Sequence, residues 1–139
     1  MIFWDTSALV ALLVSETGTP QRRAQVEEDP RVIVWWGTPV ECESAFQRRL
    51  RERSVTEPQI RQARMRLRLL TDAWDEVPPS VEVRQLALRL LRTHPLRAAD
   101  ALQLAAALTL SAAGLRGLRF ACADERLGTA AEIEGLEVI

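Results

Sequence analysis

The chain has 139 residues, a length typical of one domain, and its 18 cationic residues are all arginines because lysine is absent. The missing lysine excludes a P-loop lysine, Schiff-base chemistry and a lysine general base. The single histidine makes His-rich zinc sites and Ser–His–Asp triads weak hypotheses. Because 19 acids nearly balance the arginines, the net charge of −1 by itself predicts no nucleic-acid partner.

Cysteine usage and hydropathy indicate the compartment. Cys42 and Cys122 lie far apart without a CxxC pattern, which favours a reduced protein with both thiols in its core. No basic leader precedes an apolar run and a cleavage site, so no signal peptide is expected. No stretch approaches the roughly 18 apolar residues of a membrane span. We therefore expect a soluble, cytoplasmic protein that does not contact a membrane.

The pattern of apolar residues predicts strands that alternate with helices. In chain order it predicts a strand at 1–4, helices at 7–14 and 21–28, a strand at 32–36, helices at 39–53, 57–74, 81–92 and 96–113, a strand at 118–123, a helix at 124–131 and a strand at 136–139. Thr38 and Pro39 fit the cap and the first residue of the third helix. The alternation predicts one α/β domain over 1–139, with a parallel sheet covered on both faces.

Two aspartates follow predicted strands. Asp5 comes directly after residues 1–4, and Asp124 directly after 118–123. Open α/β folds bind their ligands at the carboxyl ends of parallel strands, so the two carboxylates can converge on one pocket. Each can also cap the helix that follows it. Taken alone, Asp5 fits either role and Asp124 fits capping better; together they favour a site.

Three further acids are candidates for the same pocket. Asp100 lies in the apolar stretch LRAADALQLAAAL, where a buried carboxylate needs a cation or a partner such as Arg97. Glu41 completes a capping-box pattern that begins at Thr38, which favours a bond back to the cap amide. Glu43 faces a different side of the same helix, so only one of the two glutamates is expected in a pocket.

These acids would supply oxygen ligands without matching histidines or thiolates. An oxygen-only set favours Mg²⁺ or Mn²⁺ over Zn²⁺. Like charges at close range raise carboxylate pKa values or attract cations. Paired divalent ions can activate water and stabilise the leaving oxygen of a phosphodiester, so the sequence suggests metal-dependent phosphodiester hydrolysis.

An arginine-rich segment runs from Arg48 to Arg68 and holds eight arginines but only two acids, Glu52 and Glu57. It covers the end of one predicted helix and most of the next. Such arginines can follow a phosphate backbone. They can also form a solvated face with intrahelical ion pairs, which is the simpler interpretation of the segment alone.

Four blocks of the sequence resemble the PIN-domain ribonucleases, specifically the VapC-type toxins of bacterial toxin–antitoxin pairs. The blocks are FWDTSALVALL with Asp5, TPVECESAFQRR with Glu41, LRAADALQLAAAL with Asp100, and FACADERLGTAAEIEGLEV with Asp124. The resemblance covers nearly the whole chain, and the order and spacing of the blocks carry it. It implies a three-layer α/β/α sandwich with a short, mainly parallel central sheet flanked by helices.

The resemblance also implies the catalytic residues. The family's four acids form one pocket that binds Mg²⁺ or Mn²⁺, which makes Asp5 and Asp100 the expected metal ligands. Glu41 and Asp124 are expected to act directly or through water. The resemblance selects Glu41 over Glu43, and therefore overrides the capping role that the local pattern favours.

Other positions of the site follow from the same resemblance. The family has an acid, a small residue and an arginine on one helix, and these align with Glu41, Ala45 and Arg48 or Arg49. Arg48 and Arg49 are expected to bind substrate. Ser7 is a further candidate for substrate binding, because it can support the sheet edge at Asp5 by hydrogen bonding. A serine at a helix start also has a structural explanation. The family often has threonine or serine where this chain has Cys122, so a hydroxyl that could hold water or phosphate is missing.

The resemblance implies a toxin that hydrolyses RNA with a metal-activated water, a VapB-type antitoxin partner, a homodimer and a possible higher assembly. Trp36 and the apolar parts of the arginine-rich helices are candidate contact surface, whereas Trp35 fits the core better. His94 is expected in a loop without a catalytic role.

Two alternatives stay open: a PIN-like nuclease outside toxin–antitoxin systems, acting in RNA processing or on structured DNA, and a non-catalytic nucleic-acid-binding module.

Overall fold

The computed structural model describes residues 1–139 and contains a parallel sheet of five strands with helices on both faces. The strands are β1 (Ile2–Trp4), β2 (Val32–Trp35), β3 (Asp75–Val77), β4 (Arg119–Ala121) and β5 (Glu137–Val138). The helices are α1 (Thr6–Leu13), α2 (Thr19–Glu28), α3 (Thr38–Arg51), α4 (Glu57–Thr71), α5 (Val81–Thr93), α6 (Ala98–Ala112) and α7 (Glu125–Ile133). The strand order is β3-β2-β1-β4-β5, with every neighbouring pair parallel. The predicted three-layer α/β/α sandwich is confirmed.

Alternating side chains of the central strands divide the core between the two faces of the sheet. Phe3 points into the core formed with α5, α6 and α7, where it stacks on Phe120. Ile2 and Trp4 point into the core formed with α1, α3 and α4. Because β1 is buried on both faces and lies between β2 and β4, it fixes the centre of the sheet.

The strand β3 was not predicted from the sequence. It consists of Asp75, Glu76 and Val77, and only Val77 is buried. It lies at the edge of the sheet and pairs with β2 alone. No strand lies on its outer side, so β3 does not need apolar side chains throughout. A short edge strand with two acids has neither the continuous apolar run nor the full alternation that identifies a strand.

Several smaller expectations can now be compared with the structure. Trp35 is buried and Trp36 is 56% exposed, as predicted. Cys42 and Cys122 are both buried and unpaired. His94 follows the last residue of α5 in an extended conformation, and its Nε2 lies 2.8 Å from a carboxylate oxygen of Glu134. No helix of the structure has the length and apolar character needed to cross a bilayer.

Candidate active site

A cleft of about 970 Å³ opens where β1 and β4 end, between the two helical layers of the sandwich. One wall comes from α1 and α3, and the other from α6 and the start of α7. The predicted catalytic acids all line this cleft: Asp5, Glu41, Asp100 and Asp124. Residues far apart in sequence therefore meet at the carboxyl edge of the sheet, as expected for a parallel α/β fold.

Asp5 is both a helix cap and a part of the cleft. Its amide donates to the carbonyl of Ala121 at 3.0 Å, which continues the β1–β4 ladder beyond the strand. Its Oδ2 accepts bonds from the amide and hydroxyl of Ser7, at 2.8 and 2.5 Å, and so caps α1. Burial raises the pKa of Asp5 to about 6, the bonds from Ser7 lower it in part, and the charge of Asp100 raises it further.

The capping box predicted for Glu41 is wrong. The cap of α3 is Gly37, without a side-chain bond, and Thr38 is already inside the helix. The Thr38 hydroxyl is buried and accepts a bond from Gln103 Nε2 at 3.2 Å, so it is turned away from the helix end. Glu41 instead accepts a bond from the Thr6 hydroxyl at 3.1 Å.

Electrostatics distinguish Glu41 from its near neighbour on α3. Burial raises the pKa of Glu41 to about 7, and the charges of Asp5 and Asp100 add to the rise. Glu43 accepts two bonds from the Arg64 guanidinium, at 2.9 and 2.5 Å, and these bonds lower its pKa. Glu41 lines the cleft, whereas Glu43 does not.

Asp100 and Asp124 each lie at the start of a helix. Asp100 accepts a bond from the backbone amide of Arg97 at 3.3 Å, but the two side chains form no ion pair, contrary to the simpler alternative. Burial raises the pKa of Asp100, and the charge of Asp124 raises it further. Asp124 caps α7 by accepting the amide of Leu127 at 2.8 Å. Capping and lining the cleft are thus compatible roles for Asp5 and Asp124 alike.

The donor set suits a hard divalent cation, although no three acidic, histidine or cysteine side chains already form a group that could hold a metal ion. The cleft offers carboxylate and hydroxyl oxygens, which Mg²⁺ and Mn²⁺ prefer. Burial is the first cause of the raised pKa values of Asp5, Glu41 and Asp100, and repulsion from neighbouring carboxylates raises them further. A bound divalent cation would offset both costs.

Ser7 and Cys122 connect the two strand ends. The Ser7 hydroxyl, besides donating to Asp5, accepts the amide of Ala123 at 2.8 Å. The thiol of Cys122 lies 3.2 Å from the carbonyl oxygen of Asp124 and 3.8 Å from Ser7 Oγ. Burial raises the pKa of Cys122 to about 12, so its sulfur is a neutral thiol at this edge.

Only a small part of the arginine-rich segment reaches the cleft. Arg48 and Arg49 line it, and Arg49 forms an ion pair with Glu16 at the rim. Arg64 pairs with Glu43, and Arg66 donates to the carbonyl of Leu13 at 3.0 Å. The other arginines of the segment are exposed and form no ion pair: Arg51, Arg53, Arg61 and Arg68.

Gln103 is a site residue that sequence reasoning missed. It is fully buried one turn after Asp100, and its Nε2 donates to the Thr6 hydroxyl at 2.8 Å and the Thr38 hydroxyl at 3.2 Å. Thr6 in turn donates to Glu41. This network of Gln103, Thr6, Thr38 and Glu41 connects α6, α1 and α3 beneath the carboxylates. The sequence signal for Gln103 was that it is a single amide side chain in the apolar stretch between Asp100 and Thr109.

Two arginines of the cleft were also missed. Arg97 directly precedes α6, and Arg126 lies in the first turn of α7. Each is close in sequence to a catalytic candidate. Considered alone, however, an arginine at an exposed helix start carries no signal for a site.

Known proteins share this fold and sequence pattern. A family model for the PIN domain matches residues 2–132. Ribonuclease VapC45 and ribonuclease VapC49, from two Mycobacterium tuberculosis strains, are each 33% identical over 154 residues, covering 99% of this chain and 94% of the relative.

Solved structures agree at the level of the fold. VapBC2 from Rickettsia felis, bound to a DNA fragment from its promoter, has a TM-score of 0.66 at 10% identity, covering 100% of this chain and 98% of that one. Mycobacterium tuberculosis VapC20, a Sarcin-Ricin loop cleaving toxin, has a TM-score of 0.64 at 17% identity, covering 98% and 96%.

Proposed function

Because the chain belongs to the PIN-domain family, among its VapC-type toxin ribonucleases, we propose that it is a metal-dependent endoribonuclease and the toxin of a toxin–antitoxin pair. One observation carries the proposal. Four acids from separate parts of the chain converge on one cleft: Asp5, Glu41, Asp100 and Asp124. We propose further that residues 1–139 act as one PIN domain.

We assign the metal to these four acids, with Asp5 and Asp100 as direct ligands and Glu41 and Asp124 acting directly or through water. Mg²⁺ is the proposed ion, and Mn²⁺ is expected to support activity. When bound, a divalent ion supplies the positive charge that activates water and stabilises the leaving oxygen of a phosphodiester. The oxygen-only donor set and the raised pKa values of Asp5 and Glu41 support this assignment.

The chain's own residues prepare the cleft for this chemistry. Ser7 holds one oxygen of Asp5, and Thr6 holds one oxygen of Glu41, so both carboxylates are oriented before substrate binds. Asp5 is only 3% exposed, which removes its carboxylate from bulk water and strengthens its electrostatic interactions. Arg48 is an exposed cation at the mouth of the cleft, suited to a substrate phosphate.

The proposed partners are an RNA substrate, a VapB-type antitoxin and a second copy of the chain. The Rickettsia felis neighbour was solved as VapBC2, which supports an antitoxin partner. Exposed apolar side chains on α4 and α5 offer surface for these contacts: Met65, Leu69, Leu88 and Leu91. Co-purification with the product of an adjacent small gene, followed by mass measurement in solution, tests both the antitoxin and the homodimer.

Cleavage of RNA by the Asp100→Asn variant tests the function most directly. We expect cleavage in Mg²⁺ to fall by about 100-fold or more, because a ligand and a negative charge are lost together. Asp72→Asn is the matched control, since Asp72 is exposed at the end of α4 and does not line the cleft. Unchanged cleavage by a folded Asp100→Asn protein would contradict the proposal.

Thermal unfolding in Mn²⁺ separates the nuclease from a non-catalytic binding module. We expect Mn²⁺ at about 100 times its dissociation constant to stabilise the native protein by about 2.7 kcal/mol. The same titration of Asp100→Asn should give a much smaller shift. If the protein binds RNA but gains no stability from Mn²⁺ or Mg²⁺, the module is the better description.

A further inference from the structure

Arginines line the cleft from both helical layers. Arg48 and Arg49 belong to α3, in the layer formed with α1 and α4. Arg97 and Arg126 stand at the starts of α6 and α7, in the opposite layer. Asp5 ends the central strand and so lies between the two layers. The cleft therefore has a cationic wall on each side of its carboxylates.

The two walls differ in their ion pairs. On the α3 wall, Arg49 is neutralised by Glu16. On the α6/α7 wall, Arg97 and Arg126 are exposed, and neither takes part in any ion pair of the molecule. Arg48 on the α3 wall also makes no ion pair, so three guanidinium groups are available to an anion that enters the cleft, two of them on the α6/α7 wall.

The positions of Arg97 and Arg126 are not those that helix stability favours. The macrodipole leaves positive charge at a helix N-terminus, where cations are repelled and anions attracted. Both arginines stand at such an end, and both also lower the pKa of Asp100 by their charge. Their charges and the two helix starts all favour an anion on this wall.

The lining of the cleft restricts what that anion can be. No aromatic side chain lines it, so bases have no surface on which to stack. Asp5 is 3% exposed at the bottom, so a scissile phosphate must enter between the layers. A flexible single strand can place one phosphate there, whereas an A-form duplex holds its phosphates on a rigid outer surface.

On the basis of the nuclease proposed above, we infer that Arg97 and Arg126 form a second phosphate-binding wall for single-stranded RNA, opposite Arg48. The RNA backbone then crosses the carboxylates with phosphates held from both layers. Recognition at this wall is by phosphate charge and is independent of base identity.

The competing explanation is that both arginines serve only as counterions of Asp100 and Asp124 in the metal-free protein. RNA binding separates the two explanations when cleavage is blocked. The parent for the measurement is full-length Asp5→Asn, because asparagine preserves the cap of α1 and removes a proposed metal ligand. The probe is a fluorescent single-stranded RNA of about 15 nucleotides without stable secondary structure, a length within the range of known single-strand sites.

We measure the dissociation constant across a salt series for Arg97→Gln, Arg126→Gln and the double variant, each in the Asp5→Asn parent. Each single change should weaken binding several-fold and reduce the slope of log affinity against log salt by about 0.7. Arg92→Gln is the control, since Arg92 is an exposed arginine on α5 that makes no ion pair and lies outside the cleft. It should bind like the parent.

Equal affinities and slopes for the parent and the double variant would overturn the inference and leave the nuclease intact. A fall in metal-free thermal stability without any change in RNA binding would identify the arginines as counterions, and would overturn it as well. Failure of the parent to bind RNA, together with failure of the unmodified protein to cleave it, would overturn the nuclease itself. A double-stranded RNA of equal length should bind the parent more weakly, and equal or tighter binding would contradict the single-stranded substrate.

Discussion

The two glutamates of α3, Glu41 and Glu43, lie in opposite electrostatic environments. Glu41 faces the cleft, accepts one bond from a neutral hydroxyl and has a raised pKa. Glu43 faces α4, is held by the guanidinium of Arg64 and has a lowered pKa. The two residues are separated by one position, so their difference comes from tertiary contacts and not from local sequence.

A similar contrast separates other acids of the chain. Some carboxylates outside the cleft have cationic partners, such as Glu134 with Arg89 and Asp75 with Arg31. Asp5 and Glu41 form no ion pair, and burial is the main cause of their raised pKa values. Carboxylates with pKa values raised in this way, inside a cleft, are typical of functional sites.

The largest expected effect is the difference in RNA cleavage rate between a Glu41 variant and a Glu43 variant. Glu41→Gln should reduce RNA cleavage by about 100-fold, because it removes a charge from the proposed metal site. Glu43→Gln should retain nearly full activity, since it changes only an outer ion pair. Initial rates at saturating Mg²⁺ provide the measurement. Similar losses in both variants would mean that the contrast between the two sides of α3 has no catalytic meaning.

An intermediate effect is expected from the network beneath Glu41. Thr6→Val removes the hydroxyl that accepts from Gln103 and donates to Glu41, so Glu41 loses this donor and Gln103 Nε2 keeps only its bond to Thr38. The cost should be about 1–3 kcal/mol in the free energy of unfolding, measured with urea.

Thr6→Ser is the matched control, because it keeps the hydroxyl and loses only a methyl group. We expect it to recover most of the stability and also to restore the pH dependence of cleavage that Thr6→Val alters. If serine and valine behave alike at this position, packing of the methyl group, and not the hydrogen bonds, holds Glu41.

The smallest effects concern stability against pH in the metal-free protein. The pKa of Glu41 is raised from 4.5 to about 7, so its favourable contribution is present below 4.5 and is lost as the pH rises through 7. Glu41→Gln avoids this loss, and should raise the free energy of unfolding at pH 7.5 by about 1–2 kcal/mol after allowance for partial solvent screening. At pH 4.5 it should have little effect.

Glu43→Gln should have the opposite sign at pH 7.5. The pKa of Glu43 is lowered by Arg64, so the pair stabilises the fold above the ordinary pKa and is lost as the pH falls through the lowered one. The side chains are partly exposed, so the loss at pH 7.5 should be below about 1 kcal/mol. Urea unfolding in EDTA at both pH values measures both variants, and shifts of equal sign would refute the contrast.

The sequence was sufficient for most of the fold, because the buried strands and amphipathic helices have strong apolar patterns. The exception, β3, is a polar edge strand whose identity depends on pairing with Trp35 and its neighbours in β2. Pairing of this kind is a tertiary property, and three residues are too few to carry a periodic signal.

The site was predictable in part. The strand ends place Asp5 and Asp124 by simple geometry, whereas selecting Glu41 from the residues alone fails. Its sequence fits a capping box, but the structure has none: Gly37 is the cap, and the Thr38 hydroxyl bonds to Gln103, which is distant in sequence. A local pattern cannot reveal a competitor from another helix.

The position of β1 between β2 and β4 has a consequence for synthesis of the protein. Asp5 is made long before Ala121, but its amide bonds to the Ala121 carbonyl, and β1 pairs with β4 only after that strand has left the ribosome. Contacts between such distant segments form late, because closing a long loop costs conformational entropy before the new contacts can stabilise the closed form. A nascent chain that ends before Asp124 therefore has no complete cleft. Under the proposed function, cleavage of RNA would begin only after this last segment has folded against β1.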